Sequence, residues 1–314
     1  MASLSIDHPD RPLTVAAIVV TFNRKELLIR CLESLLQQTR PVETIFVIDN
    51  ASTDGTSERL EAEGYCHHGQ IAYIRLSENT GGAGGFYEGM KRAYAAGYDW
   101  LWLMDDDGFC APDALAQLLQ RSAELDVIGS AVVLADKPDQ MSWPIRVVAR
   151  SGYFKLRSYI STLSELKNYA SDGIYPGAAN FFNAILFRRQ VIQSLGLVNK
   201  ELFIWGDDYE YFLRCKAANF RIGTNVHALY FHPEKLSNIS ELKYYYYLRN
   251  LYYTYSKYGD IIYPPFIRIV YPVYIFFRWL PALPSLHPTY LYKLLMAIVA
   301  ATGGRLIPYS SEKS

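Results

Sequence analysis

The feature that most constrains this chain is an alternation, repeated through its first third, of short apolar runs and segments with a helical period. Val15 to Val20 is a compact, β-branched run closed by Thr21-Phe22-Asn23-Arg24. Leu27, Leu28, Cys31, Leu32, Leu35 and Leu36 then recur on one helical face. Asn23 followed by Glu26 predicts a capping arrangement at that helix start. Thr44 to Ile48, ending at Asp49, predicts a second buried strand. Ile71 to Leu76 predicts a third, and Trp100 to Met104 a fourth that runs into Asp105-Asp106-Asp107. A helix is expected from about Gly85 to Ala96, and Pro112 suits the first turn of another over Asp113 to Ser122. Strands and helices alternating over short connections imply a parallel, three-layer α/β domain. Asn23, Asp49, Asn79 and the Asp triplet all fall at the carboxyl ends of the strands, the edge where open α/β sheets bind ligands.

Beyond this the pattern changes twice. From roughly Asp136 to Ser171 periodicity weakens, which implies a long excursion over the active face. Asn183 to Phe187 then predicts a strand, Arg189 to Leu195 a short helix and Asp207 to Ala218 a longer one. In the last third Tyr244 to Tyr247, Tyr252, Tyr253, Tyr255 and Tyr258 surround Lys243, Arg249 and Lys257. Past Ile261 the chain is apolar and aromatic, interrupted by prolines such as Pro264, Pro272 and Pro284 and by Arg268, Arg278 and Lys293. No stretch reaches the ~18 uninterrupted apolar residues of a spanning helix. Two readings stay open here: interfacial helices on a membrane surface, or a second packed helical layer or oligomer interface.

Composition excludes some classes. A chain of 314 residues that is 50% hydrophobic can bury a large core, and 31 basic against 31 acidic residues give no global argument for nucleic acid. Cys31, Cys66, Cys110 and Cys215 form no Cys-x-x-Cys pair, so reduced thiols in a cytoplasmic setting are expected. Met1 to Pro12 lacks a basic-then-apolar run and is not expected to be a signal peptide. The sequons at Asn50 and Asn238 therefore carry no weight.

Several sets of residues could carry chemistry. Three adjacent carboxylates repel, so Asp105 to Asp107 at the end of a buried strand call for a cation; oxygen ligands of this kind suit Mg²⁺ or Mn²⁺, though a solvated acidic turn is the plain alternative. Asn79-Thr80-Gly81-Gly82-Ala83-Gly84-Gly85-Phe86 is a Gly-rich loop leading into a helix, a place for an anion or simply a capping loop. It lacks the dinucleotide fingerprint, since Tyr87 stands where the third Gly belongs. Asp49 is placed to accept from a base or ribose, while Ser52, Thr53 or Asp54 caps the next helix. Trp205-Gly206-Asp207-Asp208-Tyr209-Glu210 opens a helix, where acids suit the dipole or poise a carboxylate to deprotonate a sugar hydroxyl with Trp205 stacking on the sugar. His232 is a structural histidine or a metal ligand beside carboxylates.

With these residues in place, Val15 to His232 resembles the family 2 glycosyltransferases. The resemblance rests on Val19-Val20-Thr21-Phe22-Asn23-Arg24, then Asp49 to Thr56, then the triplet where the family has its Asp-x-Asp motif, then Asp207-Asp208 at its acidic pair. It implies the Rossmann-like GT-A fold: a mostly parallel sheet flanked by helices, here with an aromatic-rich C-terminal helical region. It also implies a division into a tail over 1–13, a catalytic domain over 14–235 (nucleotide-sugar half 14–135, acceptor half 136–235) and the C-terminal region over 236–314. Within the family, the Gly-rich segment, the full triplet and Trp205-Gly206-Asp207-Asp208 are similar to galactofuranosyltransferases; rhamnosyltransferases share much of the pattern.

The resemblance implies Asp208 as catalytic base. Asp105, Asp107 and His232 would hold Mn²⁺ or Mg²⁺, and Thr21, Phe22, Asn23, Arg24, Asp49, Asn79, Gly82, Asp105 and Asp106 would contact the nucleotide sugar. Trp205, Asp207 and Glu210 would meet a glycan or lipid-linked glycan acceptor. The expected place is the cytoplasmic, inner face of the cell membrane, as a peripheral protein and possible oligomer. A catalytically silent nucleotide-sugar-binding scaffold is the reading from another class.

Overall fold

The structure, a computed structural model, describes residues 11–149, 151–234 and 240–309. Residues 1–10 of the expected tail lie outside the described residues, as do 235–239, where the expected domain boundary and part of the second sequon fall.

The alternation of the first third is realised closely. β1 (Val15–Thr21), α1 (Lys25–Leu36), β2 (Thr44–Asp49), α2 (Thr56–Ala62), β3 (Ile71–Arg75), α3 (Gly81–Ala96) and β4 (Trp100–Asp105) follow in order. β3, β2, β1 and β4 are parallel neighbours. Their apolar runs are continuous because both faces are buried: Ala16, Ile18 and Val20 enter one core, Val15, Ala17 and Val19 the other. The register sets Thr21 beside Asp49 and Val20 beside Asp105, so three strands end on one edge.

One local expectation fails. Asn23 does not cap α1: its backbone is left-handed, with φ 54°, and its Oδ1 accepts from the Thr53 amide. Asp54 serves instead, accepting from the Lys25 amide at the start of α1 and from the Thr56 amide at the start of α2.

The middle of the chain makes the sheet mixed. β5 (Phe109–Cys110), α4 (Ala114–Leu119), β6 (Val127–Leu134), β7 (Gln140–Val148), β8 (Phe154–Thr162), α5 (Leu163–Tyr169), β9 (Ile174–Pro176), β10 (Ile185–Arg188), α6 (Arg189–Leu195), α7 (Asp207–Ala217) and β11 (Ile222–His232) complete it. The strand order runs β3-β2-β1-β4-β10-β6-β11-β5. β10 is antiparallel to both β4 and β6, so the sheet is parallel over its first four strands and mixed beyond them. The segment expected to be aperiodic is a hairpin of β7 and β8 followed by α5. Its strands carry bulges, and these break the two-residue alternation by which a strand is read.

Three helices end the described chain: α8 (Glu241–Ile262), α9 (Pro265–Trp279) and α10 (Pro288–Thr302). The prolines that interrupt the sequence pattern open two of them, Pro265 and Pro288 standing in first turns where a missing N–H costs nothing. The α8 tyrosines are packed inside: Tyr244, Tyr245, Tyr246, Tyr252 and Tyr253 form a third core with Ile275, Leu294, Ala297, Leu202 and Ala83. Among the described residues no helix is long and apolar enough to cross a membrane.

Candidate active site

The triplet at the end of β4 is met by a cation from the protein itself. The Arg24 guanidinium donates to Asp106 Oδ1 at 3.0 Å and to Asp107 Oδ2 at 2.7 Å, and the Thr21 hydroxyl donates to Asp106 Oδ2 at 2.6 Å. Asp106 is only 2% exposed, and burial pushes its carboxyl up to about 6 against the opposing pull of Arg24 and Thr21. Asp105 is raised well above the carboxylate range, by burial first and by Asp107 and Asp106 next. Thr21, Arg24 and Asp106 thus form a clip between β1 and β4, where sequence reasoning assigned all three to the donor. Phe22 lies exposed beside them.

Asp107 turns the other way. Its Oδ1 lies 3.2 Å from Nε2 of His232, the last residue of β11. His232 Nδ1 lies 2.7 Å from the Pro233 carbonyl, an acceptor only, so Nδ1 carries the proton. A neutral ring then directs its Nε2 lone pair at a carboxylate oxygen, and two acceptors at that distance need a positive charge between them. A divalent cation bound by both satisfies them, as does a second ring proton. The donor set of the expected metal is therefore half assembled. Among the described residues no three His, Cys, Asp or Glu side chains are grouped so as to hold a metal ion, and Asp105 does not complete a set with the pair.

Tyr230 sets this geometry and was not singled out from sequence. Its hydroxyl donates to the Asp105 carbonyl at 2.9 Å, and a Cβ on Gly108 would stand 2.3 Å from its ring. The turn after the triplet is thus clamped onto β11, two residues before His232. A tyrosine at that offset within an apolar strand gives no signal until the two strands are paired.

The Gly-rich segment is not a loop. Gly81 to Gly85 are the first turns of α3, and their missing side chains let the helix close onto its neighbours. A Cβ would come within 2.4 Å of Val20 at Gly85, 2.4 Å of Ile18 at Gly89 and 2.0 Å of the Phe203 carbonyl at Gly81. Gly82 alone of the five faces open space. Asn79 accepts from the Gly81 amide at 2.8 Å, and the buried Asn50, missed in sequence, ties the Thr80 hydroxyl and the Gly81 carbonyl to β2. Asp49, expected at a base or ribose, is fully buried, with the Ser52 amide on one oxygen and the Tyr73 hydroxyl on the other. In this structure it organises the turn after β2.

The acceptor side is built at the start of α7. Phe203, Trp205 and Gly206 have φ of 64°, 57° and 91°, three left-handed residues in four, and Gly206 caps the helix. Asn250 of α8 holds this strained segment, its amide donating to the carbonyls of Leu202, Ile204 and Trp205. Beside it the buried Arg249 donates to Glu201, Leu202 and Ile307 carbonyls. Burial lowers its guanidinium to about 10, against the opposing pull of Tyr246, Tyr245 and Glu201. Trp205 is half-buried, edge-on to Tyr247 with ring centroids 6.0 Å apart.

Asp207 and Asp208 take different environments. Asp207 is buried, and burial followed by the Asp208 charge pushes its carboxyl up to about 8. Asp208 is half-buried and accepts from the Tyr209 amide at 2.7 Å. Asp207 also raises Asp105, so the two acidic groups lie within electrostatic reach of each other. Glu210, expected at the acceptor, turns inward: it is 3% exposed, paired with Arg214 at 2.8 Å and bonded by the Tyr258 hydroxyl at 3.1 Å. It fastens α7 to α8.

A parallel-strand edge ending in an acidic triplet, with a second acidic pair at a helix start within electrostatic reach, defines a class, and comparison with known proteins gives its family. A family model described as "Glycosyl transferase family 2" matches residues 16–193, more than half of the chain, and the chain belongs to that family: it is a glycosyltransferase with the GT-A fold. It is 34% identical over 225 residues to the galactofuranosyltransferase GlfT1 of Mycobacterium tuberculosis (strain H37Rv), covering 70% of each chain. To GlfT1 of Mycolicibacterium smegmatis it is 33% identical over 224 residues, again 70% of each. Among solved structures, S. aureus TarS 1-349 in complex with UDP aligns at TM-score 0.59 and 15% identity, covering 92% of this chain and 81% of that one. GalNAc-T7 with UDP, GalNAc and Mn²⁺ aligns at TM-score 0.58 and 15% identity, covering 82% of this chain and 52% of that one. These structural likenesses concern the fold alone.

Proposed function

We propose that the chain is an inverting glycosyltransferase that moves galactofuranose from UDP-galactofuranose onto a glycan or lipid-linked glycan acceptor in cell-surface polysaccharide synthesis. The observation that carries the reaction is the unequal acidic pair at the start of α7: Asp207 is buried with its carboxyl pushed up to about 8, and Asp208 is half-buried. Two carboxyls in contrasting environments take different roles. Asp208 accepts the acceptor hydroxyl's proton while that oxygen bonds to the anomeric carbon and the bond to the diphosphate breaks. Asp207 holds the helix start without adding a second charge. Trp205 offers a face to the acceptor sugar. The similarity to the two GlfT1 enzymes supports the choice of sugar.

Asp107 and His232 fit Mn²⁺ or Mg²⁺. Held there, such a cation would neutralise charge growing on the leaving nucleoside diphosphate. Thr21, Arg24 and Asp106 keep the triplet in place for it. The apolar C-terminal helices support work at the inner face of the cell membrane as a peripheral protein.

The test is a donor comparison by calorimetry and transfer assay, with and without Mn²⁺. UDP-galactofuranose should bind and turn over where dTDP-rhamnose does not, and turnover should need the metal. Asp208→Asn should lower turnover by about 10²–10⁴-fold while donor affinity stays within about threefold. Preference for dTDP-rhamnose replaces the donor, and full turnover in the variant removes the base.

A further inference from the structure

α9 and α10 are apolar on two sides. Their inner residues, Ile275 in α9 and Tyr290, Leu294, Ala297 and Ala301 in α10, pack into the tyrosine core under α8. Their outer residues are just as apolar. On α9, Phe266, Ile269, Val270, Val273, Phe276 and Phe277 stand exposed, at spacings of three and four that put them on one stripe. On α10, Tyr292, Leu295, Met296 and Val299 repeat the spacing, and all are exposed. Phe266 and Ile269 reach 77% and 76% exposure, against a usual expectation that a helix apolar all round is buried.

α9 and α10 themselves bring charge of one sign, while the carboxylates near them, Asp260 beside Arg268 and Glu241 beside Tyr309, belong to α8. From Ile261 to Tyr309 the chain carries Arg268, Arg278, Lys293 and Arg305 and no acidic residue, although acids and bases balance over the whole chain. A second copy is therefore a poor cover. A two-fold contact sets a patch against itself, and here α9 and α10 would bring their cations to each other with no carboxylate of their own to answer them. An anionic lipid surface answers both features, because its headgroups attract the cations and its acyl boundary takes the apolar stripes. Because no described helix is long and apolar enough to cross, the pair would lie in the interface plane.

We infer that the outer face of α9 and α10 is a docking surface for an anionic lipid bilayer. It rests on, and gives residues to, the reading of a peripheral enzyme with a lipid-linked acceptor. The stripe is also close to the chemistry. Trp279, at the end of α9, lies 4.5 Å from Tyr247, ring centroid to centroid, and Tyr247 lies 6.0 Å from Trp205 in the acceptor segment. Two ring contacts separate the surface from the acceptor site, so an acceptor whose lipid stays in the bilayer would be presented beside Asp208.

The test uses the full chain and sedimentation with vesicles of phosphatidylcholine, alone or with about one third phosphatidylglycerol. The protein should pellet with the anionic vesicles, pellet less with the neutral ones, and be released by salt. Arg268→Gln with Arg278→Gln should weaken binding by about 25-fold, roughly fivefold for each cation. Phe266→Ser, Ile269→Ser and Phe277→Ser together should abolish it, with the circular-dichroism melt confirming the fold. Transfer to a water-soluble acceptor should be unchanged in the triple variant, and that readout reports on the glycosyltransferase reading separately. Absence of binding to anionic vesicles overturns the inference. So does a wild-type dimer in sedimentation that the triple variant converts to monomer without any loss of vesicle binding.

Discussion

Asp207 is the residue whose environment departs furthest from what its sequence position suggests. Acids in a first helical turn are ordinarily ionised and favoured by the dipole, but this one is buried beside Asp208 and its carboxyl is pushed up to about 8. An unfolded aspartate titrates near about 3.9. Between those values the native chain holds a proton the unfolded chain has released. The group therefore favours the fold fully below about pH 4, and that contribution is lost as pH rises through about 8. Asp207→Asn keeps the neutral shape and removes the titration. Its melting temperature should fall less than the wild type's between about pH 5 and pH 8, by a few degrees over the range. Turnover should stay within about tenfold of wild type, far from the loss in Asp208→Asn. Parallel melting curves for the two proteins would mean that Asp207 is ionised in the native state.

The element that does most to shape the cleft is α3, and its glycines separate into two kinds. Gly85 and Gly89 face β1 so closely that a methyl group would stand 2.4 Å from Val20 or Ile18. Gly82 is helical and looks onto open space. A bare propensity argument would have Ala stabilise all three. The packing predicts opposite signs: Gly85→Ala should cost about 1–3 kcal/mol by overpacking, and Gly82→Ala should gain up to about 1 kcal/mol. Urea denaturation of the two variants decides it, and a stabilised Gly85→Ala would contradict the close approach of helix and strand. The same packing explains why the segment looks like an anion-binding loop in the sequence. Glycines that let backbone approach a phosphate and glycines that let a helix approach a strand leave the same letters.

For the whole molecule, the C-terminal helices belong to the catalytic unit and do not merely follow it. Asn250 bonds three carbonyls of the left-handed segment before α7, and Arg249 joins that segment to the Ile307 carbonyl near the end of the described chain. Both side chains are buried, so without these carbonyls their own polar groups would have no water to turn to. Asn250→Ala should cost about 1–3 kcal/mol and lower turnover at least tenfold, through misplacement of Trp205 and Asp208. UDP affinity should hold within about threefold, since the donor edge lies on β1, β2 and β4. Calorimetry with UDP beside a transfer assay tests the split; wild-type turnover would show that the segment holds itself.

The sequence by itself determined the α/β class, the four parallel strands and their common edge, because a strand buried on both faces must be apolar throughout and must end where polar residues begin. It also placed Asp105 to Asp107 at the end of a strand and Asp207-Asp208 at the start of a helix, as the structure has them. Only the tertiary structure decided what each acid does. Whether a carboxylate is clipped, protonated or reached by solvent depends on partners far along the chain: Arg24 for Asp106, His232 for Asp107, Arg214 and Tyr258 for Glu210. The antiparallel β10 and the bulged β7–β8 hairpin were likewise settled by pairing across the sheet, which leaves little local periodicity. The C-terminal tyrosines show the division most plainly. Their letters allowed a membrane belt or a core, and packing under α9 and α10 put them in the core while turning a different apolar stripe outward.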